Sequence, residues 1–388
     1  MNPSLFRSGC VLSLLLAFLA AAPRHLHAQE LRASFPLPQV HALPTPEPGT
    51  EVQHVYYDVG SDRIRDSQLE PWGRSAFGAE VCFDNSELSG DPDTQTSHWV
   101  TPFPGEELVC WGTKQCRGSG LVRSITIAFG SNAEAGAISF ALYEGTRGFG
   151  VLGHEVFRRT IRGVPLNHGH TPMLLTLEFG LEPLRLQDGD VGWGFLQLDG
   201  LTGPFLVRPD PSLGIIDAMD LYSIGPASTS EYRGTFNYGP NSCREPFFSL
   251  CASQWIQIEE VPVELVATSA IVNGSGVNPV QLHETLPARL GQLWAARLVA
   301  FDPTDRPLPS TLFLSSAASA PVPGPSGELL IDLGQLIGRP RRASPSGGYT
   351  VAIPPDVALA GRQVHVQGLV DEGTRSYLTN ALRVTVGY

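Results

Sequence analysis

The sequence predicts an all-β protein, a jelly-roll-like β-sandwich followed by a smaller Ig-like β-sandwich. The chain holds 41 Gly and 33 Pro but only 16% charged residues, which indicates many tight turns and few helices. Many segments alternate apolar and polar residues with a period of two, the pattern of a half-buried strand. Gly, Pro, Asp or Asn interrupts these segments at short intervals, which favours a sandwich over βαβ units.

Residues 1–28 are predicted to be a secretory signal peptide. Arg7 is the only charge before an apolar run over 11–22, and that run is too short to cross a bilayer as a helix. Ala28 is a plausible last residue of the peptide. We therefore expect an exported protein, secreted or periplasmic, and no later apolar stretch approaches the length of a membrane span.

The mature chain is predicted to be acidic. Removal of the signal peptide takes away Arg7 and Arg24 and no acid, so the formal charge falls from −12 to −14. Nucleic-acid binding needs clustered cations that displace counterions, and this balance argues against it. The expected partners are glycans or other proteins of the cell envelope.

The mature chain is predicted to have three parts. Residues 29–52 are polar and proline-rich, which indicates a linker or an extended lead-in. Residues 53–262 are predicted to form the first sandwich, and a boundary near 259–270 precedes a second one over 263–388. A proline-rich break at 320–326 and a basic loop at 338–348 lie inside the second unit.

Alternation predicts which side chains face the first core. The residues expected to share inward faces are Ile125, Ile127 and Phe129; Ile138, Phe140 and Leu142; Met173, Leu175, Leu177 and Phe179; and Val191, Trp193 and Phe195. Gly192 and Gly194 are predicted to point the other way, where another group can approach the backbone closely. In the second unit the same pattern selects Tyr349, Val351 and Ile353; Val364 and Val366; and Leu382, Val384 and Val386.

Several segments resemble a group of uncharacterised exported β-rich bacterial proteins. They are "FALYEGTRGFG" (140–150), "LRLQDGDVGWGFLQLDGLTGP" (184–204) and "CASQWIQIEE" (251–260). The tail resembles a C-terminal β-sandwich module found in such proteins, through "NGSGVNP" (273–279), "LAG" (359–361), Gln367 and "LTNALRVTV" (378–386). The resemblance covers roughly residues 80–388 and implies a β-sandwich architecture and export, with no catalytic activity attached.

The five cysteines after the signal peptide are predicted to form structural disulfides, because export favours oxidation. Cys110 and Cys116 flank a turn that can bring their Cα atoms to the roughly 5.5–6 Å of a bridge. Cys82 competes for either partner, and Cys243 with Cys251 forms a more isolated second pair. The spacing matches neither a zinc site nor Cys-x-x-Cys, and an odd count leaves one thiol over.

Two acidic loops carry oxygen ligands of the kind calcium binds. They supply Asp91 and Asp93 in "DNSELSGDPD", and Asp188 and Asp190 in "DGD". Ordinary turn chemistry explains the same residues. Asp190 and Asp199 bracket a predicted strand and lie roughly 30 Å apart, too far to share one ion. Calcium is therefore a weak candidate, and no other cofactor is predicted.

Enzyme signatures are absent from the sequence. Neither a Gly-x-Ser-x-Gly elbow nor a His-Glu-x-x-His helix occurs, and the only lysine, Lys114, lies in no phosphate-binding loop. His168 and His170 in "NHGH" would need a third ligand to hold a metal. A pair of carboxylates for glycoside hydrolysis needs no sequence motif, but Asp and Glu are expected mostly at turns and strand ends, in contact with water.

Three functions remain as hypotheses. The first is an exported, non-catalytic β-sandwich protein of the envelope or extracellular matrix. The second is a glycan-binding or adhesive module, helped by calcium or by exposed tryptophans, with Trp72, Trp99 and Trp111 expected in loops. The third is a secreted hydrolase with an unrecognised carboxylate pair. We predict a protein that is not an enzyme, and name no catalytic residue.

Overall fold

The computed structural model describes part of the chain. The described residues are 39–44, 50–71, 80–84, 96–101, 104–114, 119–132, 135–148, 150–165, 172–186, 189–196, 198, 201–207, 215–224, 230–238, 253–344 and 347–388.

The first β unit is built from strands β1 to β17. Their bounds are β1 Gln39–Pro44, β2 Glu51–Asp58, β3 Arg63–Pro71, β4 Glu80–Asp84, β5 Thr96–Thr101, β6 Glu106–Thr113, β7 Leu121–Ser131, β8 Ala135–Glu144, β9 His154–Pro165, β10 Met173–Glu178, β11 Leu184–Arg185, β12 Asp190–Leu196, β13 Thr202–Val207, β14 Ile215–Ile224, β15 Ser230–Tyr238, β16 Ser253–Gln254 and β17 Ile256–Glu260.

Two sheets face each other in this unit. An 11-stranded sheet has the main order β1-β5-β13-β7-β10-β2-β3, with β11 and β17 also paired to β7. A 6-stranded sheet has the order β15-β14-β6-β12-β8-β9. One apolar cluster draws inward-facing side chains from both sheets, including Phe129 of β7 and Trp193 of β12. The predicted all-β sandwich is confirmed.

The alternation pattern predicted the first core correctly. Every residue expected on the inward faces of β7, β8, β10 and β12, with Phe179 just beyond β10, belongs to the main apolar cluster. Trp193 and Phe140 are fully covered there, and each buried aromatic ring of this size stabilises the fold by several kcal/mol, roughly 3–5 by the usual cost of truncation to Ala.

The second β unit contains strands β18 to β27. Their bounds are β18 Thr268–Val272, β19 Leu282–Leu286, β20 Leu293–Leu298, β21 Ser310–Ser315, β22 Ala318–Gly324, β23 Gly327–Ile331, β24 Arg341–Arg342, β25 Gly348–Ala352, β26 Gln363–Asp371 and β27 Ser376–Thr385. Three short 3-10 helices lie at Val263–Leu265, Leu333–Gln335 and Val357–Leu359.

A five-stranded sheet (β18-β27-β26-β21-β24) and a three-stranded sheet (β19-β20-β25) enclose the second core, and β22 and β23 form a hairpin. Tyr349, Val366, Leu382 and Val384 are buried in that core, as the alternation predicts. Leu121 and Val261, which belong to the first unit, are part of the same apolar cluster. The two units therefore share apolar contacts where β17 ends.

Two predicted boundaries need correction. The linker predicted over 29–52 includes strand β1, which pairs with β5 in antiparallel register, and the start of β2. The proline-rich break predicted at 320–326 lies largely within β22, whose exposed residues pair with β23. Proline is tolerated in such an outlying hairpin because its missing N–H faces no further strand.

Side-chain amides hold the second unit together from inside. Asn278 and Gln367 each donate from their amide nitrogens to the backbone oxygens of Glu328 and Thr379, at 2.7–3.0 Å. Asn380 accepts from the backbone amides of Gln281 and Leu282, at 2.9 and 2.8 Å, and donates to the Leu282 oxygen at 2.9 Å. The three amide side chains lie in the segments that carry the C-terminal resemblance.

A buried ion pair connects the two sheets of the first unit. Lys114, just after β6, donates from Nζ to Glu260 Oε1 of β17 and to the Leu186 backbone oxygen, both at 2.8 Å. Glu260 Oε2 accepts from the Gly120 amide at 2.8 Å. The side chains of the pair are 8% and 0% exposed, so the single lysine of the sequence is an internal cross-link between the sheets.

A neighbouring carboxylate, Glu259, is expected to make stability depend on pH. It is 3% exposed, its Oε2 accepts from Ser124 at 2.7 Å, and within the described residues its Oε1 has no hydrogen-bond partner. Burial raises the pKa of Glu259 above the ordinary 4.5, against the opposing effects of Ser124 and Arg123. The folded state binds this proton more tightly than the unfolded state does. The stability gained from that proton is therefore fully present below the ordinary pKa, and it is lost as pH rises through the pKa of the folded state.

We therefore expect Glu259→Gln to be more stable than the native chain at pH 7, and the difference to shrink as pH falls toward 4.5. Urea unfolding at a series of pH values measures it. The exposed Glu182→Gln serves as the control and should follow the native curve. If the free energy of unfolding of Glu259→Gln differed from that of the native chain by the same amount at every pH, the expectation would be contradicted.

Within the described ranges, no helix is long and apolar enough to cross a membrane.

Candidate functional site

Strand β6 separates two environments by simple alternation. Leu108 and Cys110 face the main core, whereas Glu107, Val109 and Trp111 lie on the opposite, outer face of the six-stranded sheet. Glu107 is nevertheless completely buried. A buried carboxylate on a sheet face opposite the core needs partners and a cover, and the neighbouring strands and one loop supply both.

Glu107 is held by two donors from adjacent strands. The hydroxyl of Tyr143 on β8 and Nη2 of Arg158 on β9 both donate to Glu107 Oε2, each at 2.9 Å. Arg158 Nη2 also donates to the Tyr143 hydroxyl, and Arg158 Nε donates to Glu155 Oε2 at 2.8 Å. The strand register aligns Arg158 with Ala141 of β8 and with Gly194 of β12. Because both of these residues are small, Arg158 can reach across the two strands to Glu107 on β6.

The second carboxylate oxygen of Glu107 lies over Gly194 of β12. A Cβ added at Gly194 would lie 2.8 Å from Glu107 Cδ and 3.1 Å from Cγ, so any larger residue would displace the carboxylate. Oε1 has no hydrogen-bond partner within the part of the chain described, and neither has the buried Nη1 of Arg158. The cluster therefore presents one unused acceptor and one unused donor.

The ionisation of this cluster is set by burial. Loss of water raises the pKa of Glu107, although the charge and hydrogen bond of Arg158 and the hydrogen bond from Tyr143 oppose the effect. Burial also raises the pKa of Tyr143, and the negative charge of Glu107 adds to it. Burial alone would lower the pKa of Arg158, but the negative charge of Glu107 and its hydrogen bond raise it overall, so the guanidinium stays positive.

A second buried carboxylate lies on the same face. Asp220 of β14 accepts from the Tyr222 hydroxyl at 3.3 Å, and both residues are buried. The Tyr222 and Tyr232 rings meet edge to face with centroids 5.8 Å apart. Burial and the nearby Asp220 raise the pKa of Tyr222, so it remains a neutral hydrogen-bond donor. The outer face thus combines two buried acids, the more exposed Glu155, Arg158 and several tyrosine rings.

The connection between β8 and β9 covers this face. We call its described residues, 145–148 and 150–153, the glycine loop. A Cβ at Gly148 would overlap the indole of Trp111 on β6, and one at Gly150 would lie 3.3 Å from the Tyr232 ring on β15. Leu152 packs against the buried Val109, Tyr143 and Tyr222. The loop therefore crosses the sheet from β8 as far as β15.

Gly194→Ala is expected to destabilise the chain by about 2 kcal/mol, the usual scale for an overpacked site. The added methyl group forces Glu107 away from Tyr143 and Arg158. Gly189→Ala is the matched control, because its nearest neighbour would be Thr113 Cγ2 at 3.7 Å, and it should stay within about 0.5 kcal/mol. Equal unfolding midpoints for the two variants would contradict this description of Gly194.

The structure describes only some of the predicted site residues. Asp190 is exposed and accepts from the Thr113 hydroxyl at 3.1 Å. Asp91, Asp93 and Asp188 lie outside the described residues, as do His168 and His170, so the calcium and histidine sites stay predictions. No group of three or more potential metal ligands occurs within the described ranges.

The disulfide predictions are in a similar position. Cys110 is buried in the main core, where the backbone amide of Gln254 donates to its sulfur at 3.4 Å. Its expected partner Cys116 lies outside the described residues, and so do both Cys243 and Cys251. Cys82 is buried on β4. The bridges Cys110–Cys116 and Cys243–Cys251 therefore stay predictions.

The loop position expected for Trp111 was wrong, because Trp111 lies within β6 and is buried there. Trp193, expected to face the core, is buried, and so are Trp255 and Trp294. The residues that sequence reasoning missed are the acids. Glu107 and Asp220 were expected to be solvated, yet both lie inside strands. The signal at Asp220 was its position between the apolar Met219 and Leu221, whereas Glu107 follows another acid, Glu106, and carried no such signal.

Comparisons with known proteins give no family. No family model and no curated protein matches the chain. Among solved structures, it is weakly similar to the glycoside hydrolase domain of Endo-D from Streptococcus pneumoniae R6, with a TM-score of 0.19 and 8% identity over 89% of this chain and 43% of that one. A calcium-binding mutant of beta-glucuronidase 2 from Bacteroides uniformis gives 0.15 and 9%, over 88% and 32%. The chain spans less than half of either protein.

Proposed function

We propose that this chain is an exported, non-catalytic β-sandwich protein of the cell envelope or extracellular matrix, and that it acts by binding carbohydrate. The observation that carries the proposal is the polar cluster on the outer face of the six-stranded sheet. Glu107 there is fully buried with one oxygen unused, next to an arginine and bordered by tyrosine rings. Few polar groups set among aromatic side chains are typical of small-molecule and sugar sites.

Binding without chemistry is favoured by the Arg158 contact. A carboxyl that serves as a general acid must lose and regain its proton in every cycle. A guanidinium 2.9 Å away favours the charged form of Glu107 and opposes the proton transfer that an acid would need.

A hydrolase is the second candidate, because burial raises the pKa of Glu107 and a second carboxylate, Asp220, lies on the same face. Glycoside hydrolysis uses such a pair, one protonated and one charged.

The two candidates predict different results in one experiment. The mature chain, 29–388, is mixed with insoluble polysaccharides and with isolated bacterial envelopes, with calcium or with EDTA, and the supernatant is assayed for new reducing ends. Retention on the solid without new reducing ends supports binding. Loss of retention in EDTA would assign a role to the acidic loops. New reducing ends would establish the hydrolase, and failure to bind any solid would overturn the proposal.

A further inference from the structure

Resting on the carbohydrate-binding function above, we propose that the cluster beneath the glycine loop binds an uncharged polyhydroxylated ligand. Glu107 Oε1 accepts a hydrogen bond from one ligand hydroxyl, and Arg158 Nη1 donates to a neighbouring ligand oxygen. The glycine loop lifts to admit the ligand and closes over it.

The first argument is the pair of unused buried atoms. Glu107 Oε1 and Arg158 Nη1 are shielded from water without a partner in the described structure, although the two side chains are joined through Oε2 and Nη2. Leaving such groups unsatisfied is costly, so native proteins retain few of them without a role. One acceptor beside one donor matches neighbouring hydroxyls, each of which donates and accepts.

The second argument is charge. Glu107 and Arg158 neutralise each other, while Glu155 and Asp220 add negative charge around them. An anionic ligand would meet three carboxylates and an acidic protein, and a cation would meet the guanidinium. Because the cluster is buried, a charged ligand would also lose its hydration without a matching partner. A neutral ligand avoids both costs.

The third argument is the shape of the surroundings. Tyr143, Tyr222 and Leu152 pack together over Val109 and Ala141, with the Tyr232 ring beside them. Glu107 fills the space over Gly194, and Thr146 of the glycine loop fills the space over Gly192, so a lifted loop uncovers Gly192. Tyrosine rings beside this uncovered strand suit the apolar faces of a sugar, which stack on tyrosine.

The fourth argument is the construction of the glycine loop. Its inner hydrogen bonds close the loop on itself: Thr146 Oγ1 donates to the Leu152 oxygen at 2.6 Å, and the Arg147 amide to the Val151 oxygen at 3.1 Å. At its base, the Gly145 amide donates to the Asp190 oxygen of β12 at 2.9 Å. Gly145 and Gly153, at its two ends, have φ of 69° and 80°, a region that favours glycine. A loop that is internally bonded and ends in glycines can move as one unit.

The test uses the mature chain and named probes. Native gels containing galactomannan or xyloglucan, both uncharged, and a parallel gel containing the anionic polygalacturonate report binding as retardation. We expect retardation by a neutral polysaccharide only. Glu107→Gln puts an amide in place of the carboxylate and removes the charge that Arg158 pairs with, and should weaken binding at least tenfold, about 1.4 kcal/mol. Glu182→Gln, the same change at an exposed site, should bind like the native chain.

Hydrogen exchange on the native chain gives a readout that needs no variant. Adding the neutral polysaccharide should slow exchange in the glycine loop and in β6, and leave the second β unit unchanged.

Each outcome has one meaning. Neutral binding that a folded Glu107→Gln variant retains, or protection confined to other segments, would overturn the site while leaving carbohydrate binding intact. Retardation by polygalacturonate alone would overturn the neutral ligand. Binding to envelopes but to none of the polysaccharides would overturn this inference while leaving an envelope-binding protein. Failure to bind any of them would overturn both proposals.

Discussion

Lys114→Met is expected to cost about 3–5 kcal/mol of unfolding free energy, the usual penalty for breaking one side of a buried ion pair. The variant leaves Glu260, whose side chain is completely buried, charged and without the ammonium group. It also deprives the Leu186 oxygen of its donor. Methionine fills a similar volume, so the loss reports the polar contacts rather than a cavity. Urea unfolding followed by tryptophan fluorescence measures it.

The comparison with an exposed pair makes this result specific. Arg375→Met breaks the contact with Glu372, but Arg375 is 74% exposed, so the change should cost far less than Lys114→Met. Adding Glu260→Gln to Lys114→Met should recover part of the loss, because no unpaired charge stays buried. If Lys114→Met were as mild as Arg375→Met, the ion pair would not join the sheets as described.

Asn380→Ala is expected to cost about 3 kcal/mol, at roughly 1 kcal/mol or more for each backbone group that loses its partner. Asn380 is fully buried, and its amide serves two backbone amides and one carbonyl at the start of β19. The expected loss should appear in the unfolding of the second β unit, which the fluorescence of Trp294 reports.

Asn132→Ala is the matched control for this change. Asn132 is exposed after β7, and its backbone amide, which the substitution keeps, donates to the Leu201 oxygen at 2.8 Å. We expect a change within about 0.5 kcal/mol. A loss at Asn380 no larger than this would mean that the side-chain amide contributes little to holding β19 against β27.

Sequence patterns identified the parts of the fold that depend on near neighbours. The alternation in "VGWGFLQLDG" placed Trp193 in the core and Gly194 on the other face, because a period of two is a local property of a strand. Gly194 was also expected to accept a close approach, and the Glu107 carboxylate makes it.

The candidate site depended on contacts that no local pattern encodes. Arg158 lies 51 residues from Glu107, and Glu260 lies 146 residues from Lys114. Read alone, each acid is most simply a solvated residue, because a lone charge is rarely buried without a partner. Only the register of β6, β12, β8 and β9 brings the partners of Glu107 onto one face.

The pairing of β7 also bears on how fast the chain folds and when. Its neighbours β10 and β17 come from residues 173–178 and 256–260, and β2, already paired with β3, joins the rest of the sheet only through β10. Chains dominated by such distant pairings fold slowly, typically in milliseconds to seconds. Until Ile256–Glu260 has emerged, β7 keeps an unpaired apolar edge of the kind that seeds aggregation. A fragment that stops before Ile256 should therefore be prone to association, whereas the complete chain closes that edge itself.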